Sequence, residues 1–324
     1  MPRLMCVAAA HVAPVFMDAM ASANKAASWI KEAGRQGIDI LVFPEVFLPG
    51  FPYWINLYPP LIQSDVNTAY QDQSIEINGP ELAVVREAAR EAGVMTVIGL
   101  SERRQGGRTC YNTTAFIEKD GALLGTHRKL KPTYAERYVW GEGDGSSLRV
   151  FTANAAKIGA LACWEHTMNL ARQALIEQDE EIHAALWPSL STMPGFDRLA
   201  NIQIEAMMRN HALNGQCFVI SASSPVSQSM LAYLDESLGA QTLLTAGGGW
   251  SAIIHPFSDI VAGPVTGEEE QLVVATIELD DLKTVKMWVD TTGHYSRPDV
   301  LRLIHDRSAR TNLGSRMVLF GDET

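Results

Sequence analysis

The chain has 324 residues, 47% of them hydrophobic, enough to bury a large core in one domain or two close-packed halves. Its formal charge is −11, from 26 basic and 37 acidic side chains, and it lacks the long basic runs that give nucleic-acid binders their electrostatic footprint. No apolar stretch approaches the roughly 18 residues of a membrane span, so neither nucleic acid nor membrane is expected as a partner.

The first segment, MPRLMCVAAAHVAPVF, imitates a short secretory signal, with Arg3, an apolar run over 4–10 and an A-x-A at Ala8 to Ala10. The run is at the lower limit for such a signal, and cleavage would leave three cysteines, an odd number for a disulfide framework. It reads as the first core strand of a cytoplasmic protein. Phe16, Met20, Ala23, Ala27 and Ile30 then step by 4, 3, 4 and 3, the one-face spacing of an amphipathic helix, which Gly37 closes. IDILVF, at 38–43, is a continuous apolar run of strand length, the pattern of a strand covered on both faces. Leu82, Val85, Ala89 and Ala92 repeat the helical spacing, and Gly93 followed by VMTVIGL repeats the helix-then-strand order.

Strands NTTAFIE and ALLGTHRK follow, joined at Lys119-Asp120-Gly121, whose Asp-Gly pair favours a tight hairpin. A third round runs from strand KIGALAC through helix NLARQALIEQ to strand AALWPS. A fourth runs from helix FDRLANIQIEAMMRNHALNG to strand CFVISAS. WSAIIHPFSDIVAG and QLVVATIEL complete an α/β chain with hairpin material and no linker or low-complexity segment.

The four cysteines, Cys6, Cys110, Cys163 and Cys217, form no C-x-x-C, and H-E-x-x-H is absent, so local spacing offers no metal site. GEGDG does not make a dinucleotide fingerprint, and G-x-x-x-x-G-K-[ST] and G-x-S-x-G are missing. Cys163 ends the apolar run GALAC and comes shortly before a helix, whose terminal N–H groups would lower a thiol pKa from about 8.5. A buried cysteine that merely packs is the competing reading. Glu45 sits just past an apolar strand that Pro44 has stopped, and Lys129 ends another strand before Pro132. A carboxylate, an ammonium and a thiol thus each terminate a separate strand of an α/β protein, where such folds gather their sites.

Four blocks, FPEVFLPGFPYW, HRKLKPTYAERYVWGEGDG, CWEH and TTGHYSRPDV, resemble the nitrilase superfamily, and most closely its nitrilase branch, from about residue 5 to about residue 302. The resemblance implies a four-layer αββα sandwich, with residues 1–302 as a single carbon-nitrogen hydrolase domain and 303–324 as a C-terminal tail. It also implies Glu45 as general base, Lys129 as cationic stabiliser, Cys163 as nucleophile and Glu136 as a second glutamate of the site. Nitrile hydrolysis to a carboxylic acid and ammonia, through a thioimidate and a thioester and with no cofactor, is the implied reaction. An amidase or cyanide-degrading enzyme of the same superfamily is the near alternative; a non-catalytic scaffold is the distant one.

By family position the pocket walls are Tyr53, Trp54, Tyr134, Trp140, Trp164, Pro188 and Phe196, which suggest a mostly apolar nitrile, aromatic or arylaliphatic, with very small nitriles also open. The Trp164 backbone N–H is a candidate donor to the developing negative charge, and His166 is read as structural or pocket-lining. The resemblance further implies homodimers through helices at 169–178 and 197–214, growing into higher oligomers and spirals. The second helix carries Leu199, Ile202, Ala206, Met207, Met208 and Ala212, more apolar surface than one sheet-facing stripe needs.

Overall fold

A computed structural model of the chain describes residues 2–310. One sheet is built from β1 (Leu4–His11), β2 (Ile40–Val42), β3 (Met95–Arg103), β4 (Cys110–Ile117) and β5 (Leu123–Arg128), with the short β6 (Trp140–Gly141) beside β4. The second takes β7 (Phe151–Ala153), β8 (Ala156–Ala162), β9 (Ile182–Trp187), β10 (Phe218–Ser223), β11 (Ser251–Ile254) and β12 (Ile260–Val265). β13 (Gln271–Glu278) then returns to the first sheet, antiparallel to β1. β1, β2 and β3 run parallel, as do β8, β9 and β10; β4 is antiparallel to both β3 and β5, and β4 and β5 form the hairpin that the Asp-Gly turn predicts.

The sheets pack face to face because alternate residues of each strand are apolar on the shared side. Val7, Ile40, Val97 and Phe116 meet Ile158, Ala184, Ile220 and Ile253 there. The opposite faces are equally apolar and are covered by helices. α1 (Ala19–Arg35), α2 (Trp54–Leu57), α3 (Ser64–Gln73) and α4 (Pro80–Ala92) precede the second sheet, and α1 and α4 cover Ala8, Leu41 and Ile98. α5 (Asn169–Ile176) lies against Leu161, and α6 (Ala200–Gly215) against Ala185, Val219 and Ala252. α7 (Gln228–Leu238) and α8 (Asp281–Trp288) complete the set. The result is the four-layer αββα sandwich.

Three expectations change. Asp18 caps α1 by accepting the Ala21 N–H, so the helix begins after Phe16, and its buried stripe runs through Ala19, Ala23, Ala26, Ile30 and Ala33 while Met20 faces out. α3, α7 and α8 escape periodicity because each buries only two residues one turn apart, Val66 and Tyr70, Met230 and Leu234, and Leu282 and Val285. On α6, Met208 and Ala212 belong to the core and Met207 is half-buried against it, whereas Leu199, Ile202 and Leu213 face outward. Residues 303–310 run against the 144–147 turn, where His305 Nε2 pairs with the Gly145 carbonyl at 2.8 Å. The rest of the expected tail, 311–324, lies outside the described residues. Among the described residues, no helix is long and apolar enough to cross a membrane.

Candidate active site

Glu45, Lys129 and Cys163 follow β2, β5 and β8, and the sandwich brings these three strand ends together although β8 belongs to the other sheet. All three turns hold a non-glycine residue in the left-handed region: Val46 at φ 47°, Tyr134 at 46° and Cys163 itself at 52°. Such backbone is sterically costly, above all for a β-branched valine, and is sustained by surrounding contacts. At the first turn the contact is with Gly99 of β3, where a Cβ would lie 2.3 Å from the Val46 nitrogen, so only glycine lets the Glu45 turn lie on that strand.

The Lys129 ammonium donates to Glu45 Oε1 at 2.9 Å and to Glu136 Oε2 at 2.7 Å. Asn112 Nδ2 donates to the same Glu45 oxygen at 2.7 Å, and the Thr133 N–H donates to Glu136 Oε2 at 2.8 Å. Glu45 Oε2 is buried with no hydrogen-bond partner. One carboxylate oxygen each of Glu45 and Glu136 and the Cys163 sulfur lie within 4.8 Å of one another. That trio has the donor chemistry of a cation site, but Lys129 Nζ already supplies the positive charge between the two carboxylates.

Burial pushes the Glu45 carboxyl up to about 7, against the pull of Lys129 and with the help of Glu136. Burial also works against the Lys129 charge, yet Glu136, Glu45 and the thiol outweigh it and hold lysine well above its usual range. Burial, reinforced by the Glu45 charge, drives the Cys163 thiol well above its ordinary value despite Lys129 and a hydrogen bond from the Trp164 N–H. The Trp164 N–H does pull the thiol down as expected, but burial and the neighbouring carboxylates pull harder in the other direction.

Cys163 and Glu136 line a cavity of about 400 Å³, while Glu45 and Lys129 sit behind them. Tyr134, Trp164 and Phe196 stand in its wall, with Phe51, Leu57, Leu190, Met193 and Leu243 completing a mostly apolar lining. Tyr53, Trp54, Trp140 and Pro188 do not line the cavity, and their sequence-based placement there is corrected. Tyr53 and Trp140 pack their rings against Phe51 at 5.0 and 5.9 Å and so buttress the wall from behind. Each of the four spends its polar atom inward: the Tyr53 hydroxyl on the Ser189 N–H, the Trp54 indole on Asn67, the Trp140 indole on Ser101, and the Pro188 carbonyl on Ser223. His166 is fully buried and stacked on Trp187 at 5.0 Å, outside the cavity wall.

Asn112 and Glu165 escaped the sequence reading. Counting the hairpin back from its Asp-Gly turn would have found Asn112, since Thr113 pairs with Arg128 and the Asn112 carbonyl accepts the Lys129 N–H at 2.8 Å. No comparable local signal marks Glu165.

A family model described as carbon-nitrogen hydrolase matches residues 6–287. The chain is 37% identical over 302 residues to an aliphatic nitrilase of Rhodococcus rhodochrous, covering 92% of this chain and 81% of that protein. It is likewise 37% identical over 299 residues to a nitrilase of Pseudomonas syringae pv. syringae (strain B728a), covering 92% and 88%. Among solved structures, Saccharomyces cerevisiae Nit3, a member of branch 10 of the nitrilase superfamily, superposes with a TM-score of 0.72 at 17% identity, over 91% of this chain and 97% of that one.

Proposed function

The chain belongs to the carbon-nitrogen hydrolase family, and from that premise we propose that it is a nitrilase, converting an organic nitrile to the carboxylic acid and ammonia. Glu45 takes the thiol proton of Cys163 on its unpartnered Oε2 as the sulfur attacks the nitrile carbon. The charge developing on nitrogen is met by the Lys129 ammonium and the Trp164 N–H, and the proton held by Glu45 passes to that nitrogen to give a thioimidate. Water adds to the C=N carbon, and the tetrahedral adduct expels ammonia to leave a thioester. A second water, deprotonated by Glu45, releases the acid and restores the thiol. Glu136 keeps Lys129 charged and aimed throughout.

The observation that carries this reading is the buried set itself, a thiol within 4.8 Å of a carboxylate oxygen and an ammonium held between two carboxylates. The test is ammonia release from aliphatic, aromatic and arylacetonitrile substrates and cyanide, with the parent chain and Cys163→Ala. Turnover of nitriles by the parent alone is expected; turnover of amides with nitriles untouched would overturn it.

The same reading includes self-association and compartment. Leu170 of α5 (69% exposed) and Ile202 of α6 (66%) present an apolar face that a second copy would cover, supporting a homodimer or higher oligomer. Four free cysteines and a thiol nucleophile fit a reducing, cytoplasmic setting.

A further inference from the structure

Beneath the nucleophile lies a chain of buried polar groups that the mechanism above does not use. The Cys163 carbonyl accepts from His166 Nδ1 at 2.7 Å, and His166 Nε2 lies 2.9 Å from His183 Nε2. His183 Nδ1 is 2.8 Å from Glu180 Oε1, and the other oxygen of Glu180 is 3.0 Å from His211 Nε2. All four side chains are buried, and His166 is fixed in plane by its stacking on Trp187.

With Glu180 ionised, which, against its burial, His183 and His211 favour by holding its pKa at about 2, counting protons along this chain leaves one arrangement. A carbonyl only accepts, so His166 Nδ1 bears hydrogen; a carboxylate accepts, so His183 Nδ1 bears hydrogen too. Two Nε2 atoms at 2.9 Å need a third proton between them. Three N–H protons on two imidazoles are one more than two neutral rings hold, so the pair carries one positive charge, which the Glu180 carboxylate neutralises. We infer that His166, His183 and Glu180 form a buried imidazolium relay that orients and polarises the Cys163–Trp164 peptide, with His183 and Glu180 as positioning residues for the reaction.

The link to chemistry is the peptide plane. The carbonyl held by His166 and the Trp164 N–H are opposite ends of one rigid amide, so fixing the first aims the second at the Cys163 sulfur and the substrate nitrogen. A charge-backed bond at the carbonyl also strengthens the N–H as a donor, because hydrogen bonds in series polarise one another. The location of the charge is supported independently. Burial opposes ionisation of Glu180, yet His183 and His211 hold it down at about 2, whereas burial drives His166 well below its ordinary range and His211 to about 4. Of the two rings in the pair only His183 touches the Glu180 carboxylate, at 2.8 Å, so the pair's charge is placed on the ring beside its counter-ion. Cys217 lies within 4.8 Å of Glu180 and His211, but both Glu180 oxygens already accept imidazole N–H groups, which favours an ion-paired relay over a cation site.

The relay rests on Cys163 as nucleophile, and the two can fail separately. Glu180→Gln keeps the shape and removes the counter-charge; kcat per alkylation-titrated Cys163 should fall about tenfold, the order expected for a weakened rather than deleted donor, with KM unchanged. His166→Asn should cost about as much, and the double variant no more than either, since both break one relay. ¹⁵N NMR of the parent at pH 8 should show His183 protonated on both nitrogens, and Glu180→Gln should abolish that signature. An unchanged kcat per thiol in folded Glu180→Gln, additive losses in the double variant, or a singly protonated His183 in the parent would overturn the relay, and the parent spectrum decides even where the variants do not fold. Activity retained by Cys163→Ala would instead retire the nucleophile and the relay with it.

Discussion

Glu165 accepts the backbone N–H of Leu130 at 2.8 Å, and its other oxygen takes that of Ala162 at 3.1 Å. Leu130 follows Lys129 and Ala162 precedes Cys163, so one buried carboxylate sets the spacing between an ammonium on one sheet and a thiol on the other. His127 Nε2, 3.0 Å away, supplies a third partner. These bonds hold Glu165 below the usual carboxylate range despite its burial, His127 contributing most.

Replacing Glu165 with glutamine keeps the volume but turns one acceptor into an NH₂ group facing N–H donors. The expected cost is about 1–3 kcal/mol of stability, with kcat lowered as the two turns separate. Urea unfolding beside kinetics on the same preparation measures both. A Glu165→Gln protein as stable and active as the parent would deny the clamp.

The acid limb of the pH profile should belong to Glu45. Only its ionised form can take the thiol proton, and burial raises its pKa to about 7, so kcat/KM should fall as pH drops through about 7 rather than near 4.5. The rate of Cys163 alkylation by a small reagent should follow the same limb, and Glu45→Gln should flatten it. A limb near 4.5 in both profiles would show that the carboxylate is not the base.

Phe196 stands in the cavity wall and is 44% exposed, which places it where a bulky substrate would leave its outer end. Phe196→Ala should raise KM for an arylaliphatic nitrile by roughly tenfold, about 1.4 kcal/mol of lost apolar contact, while barely changing KM for a short aliphatic nitrile. A KM series over chain length is the measurement. Equal effects on long and short substrates would remove Phe196 from the specificity wall.

Ile202 and Met208 lie six residues apart on α6 and should respond oppositely to a charge. Ile202→Glu, on the outward face, should yield a folded monomer with depressed turnover, because the Cys163 turn leads directly into α5 and its packing against α6. Met208 is fully buried, so Met208→Glu should unfold the chain. Sedimentation with circular dichroism separates the two outcomes. A fully active monomeric Ile202→Glu protein would uncouple assembly from catalysis.

The sequence by itself determined most of the alternating strand and helix order and the strand ends that carry Glu45, Lys129 and Cys163, while the four-layer class and Glu136 came from the family resemblance of its blocks. The strand ends are local features: an apolar run ends, a proline or glycine stops the ladder, and a polar residue stands at the stop. Tertiary structure alone decided who faces whom. Lys129 reaches Glu45 across 84 residues of sequence, and Glu165 binds a turn 35 residues away in the other sheet. Periodicity gives a side chain's face relative to its own strand, but the docking of two sheets decides whether that face meets cavity or core, which is why Tyr53, Trp54, Trp140 and Pro188 fell behind the wall they were assigned to. The thiol's protonation followed the same rule, because residue types near Cys163 promise an acidic thiol while the depth of its burial, a property of the packed sandwich, makes it a weak acid.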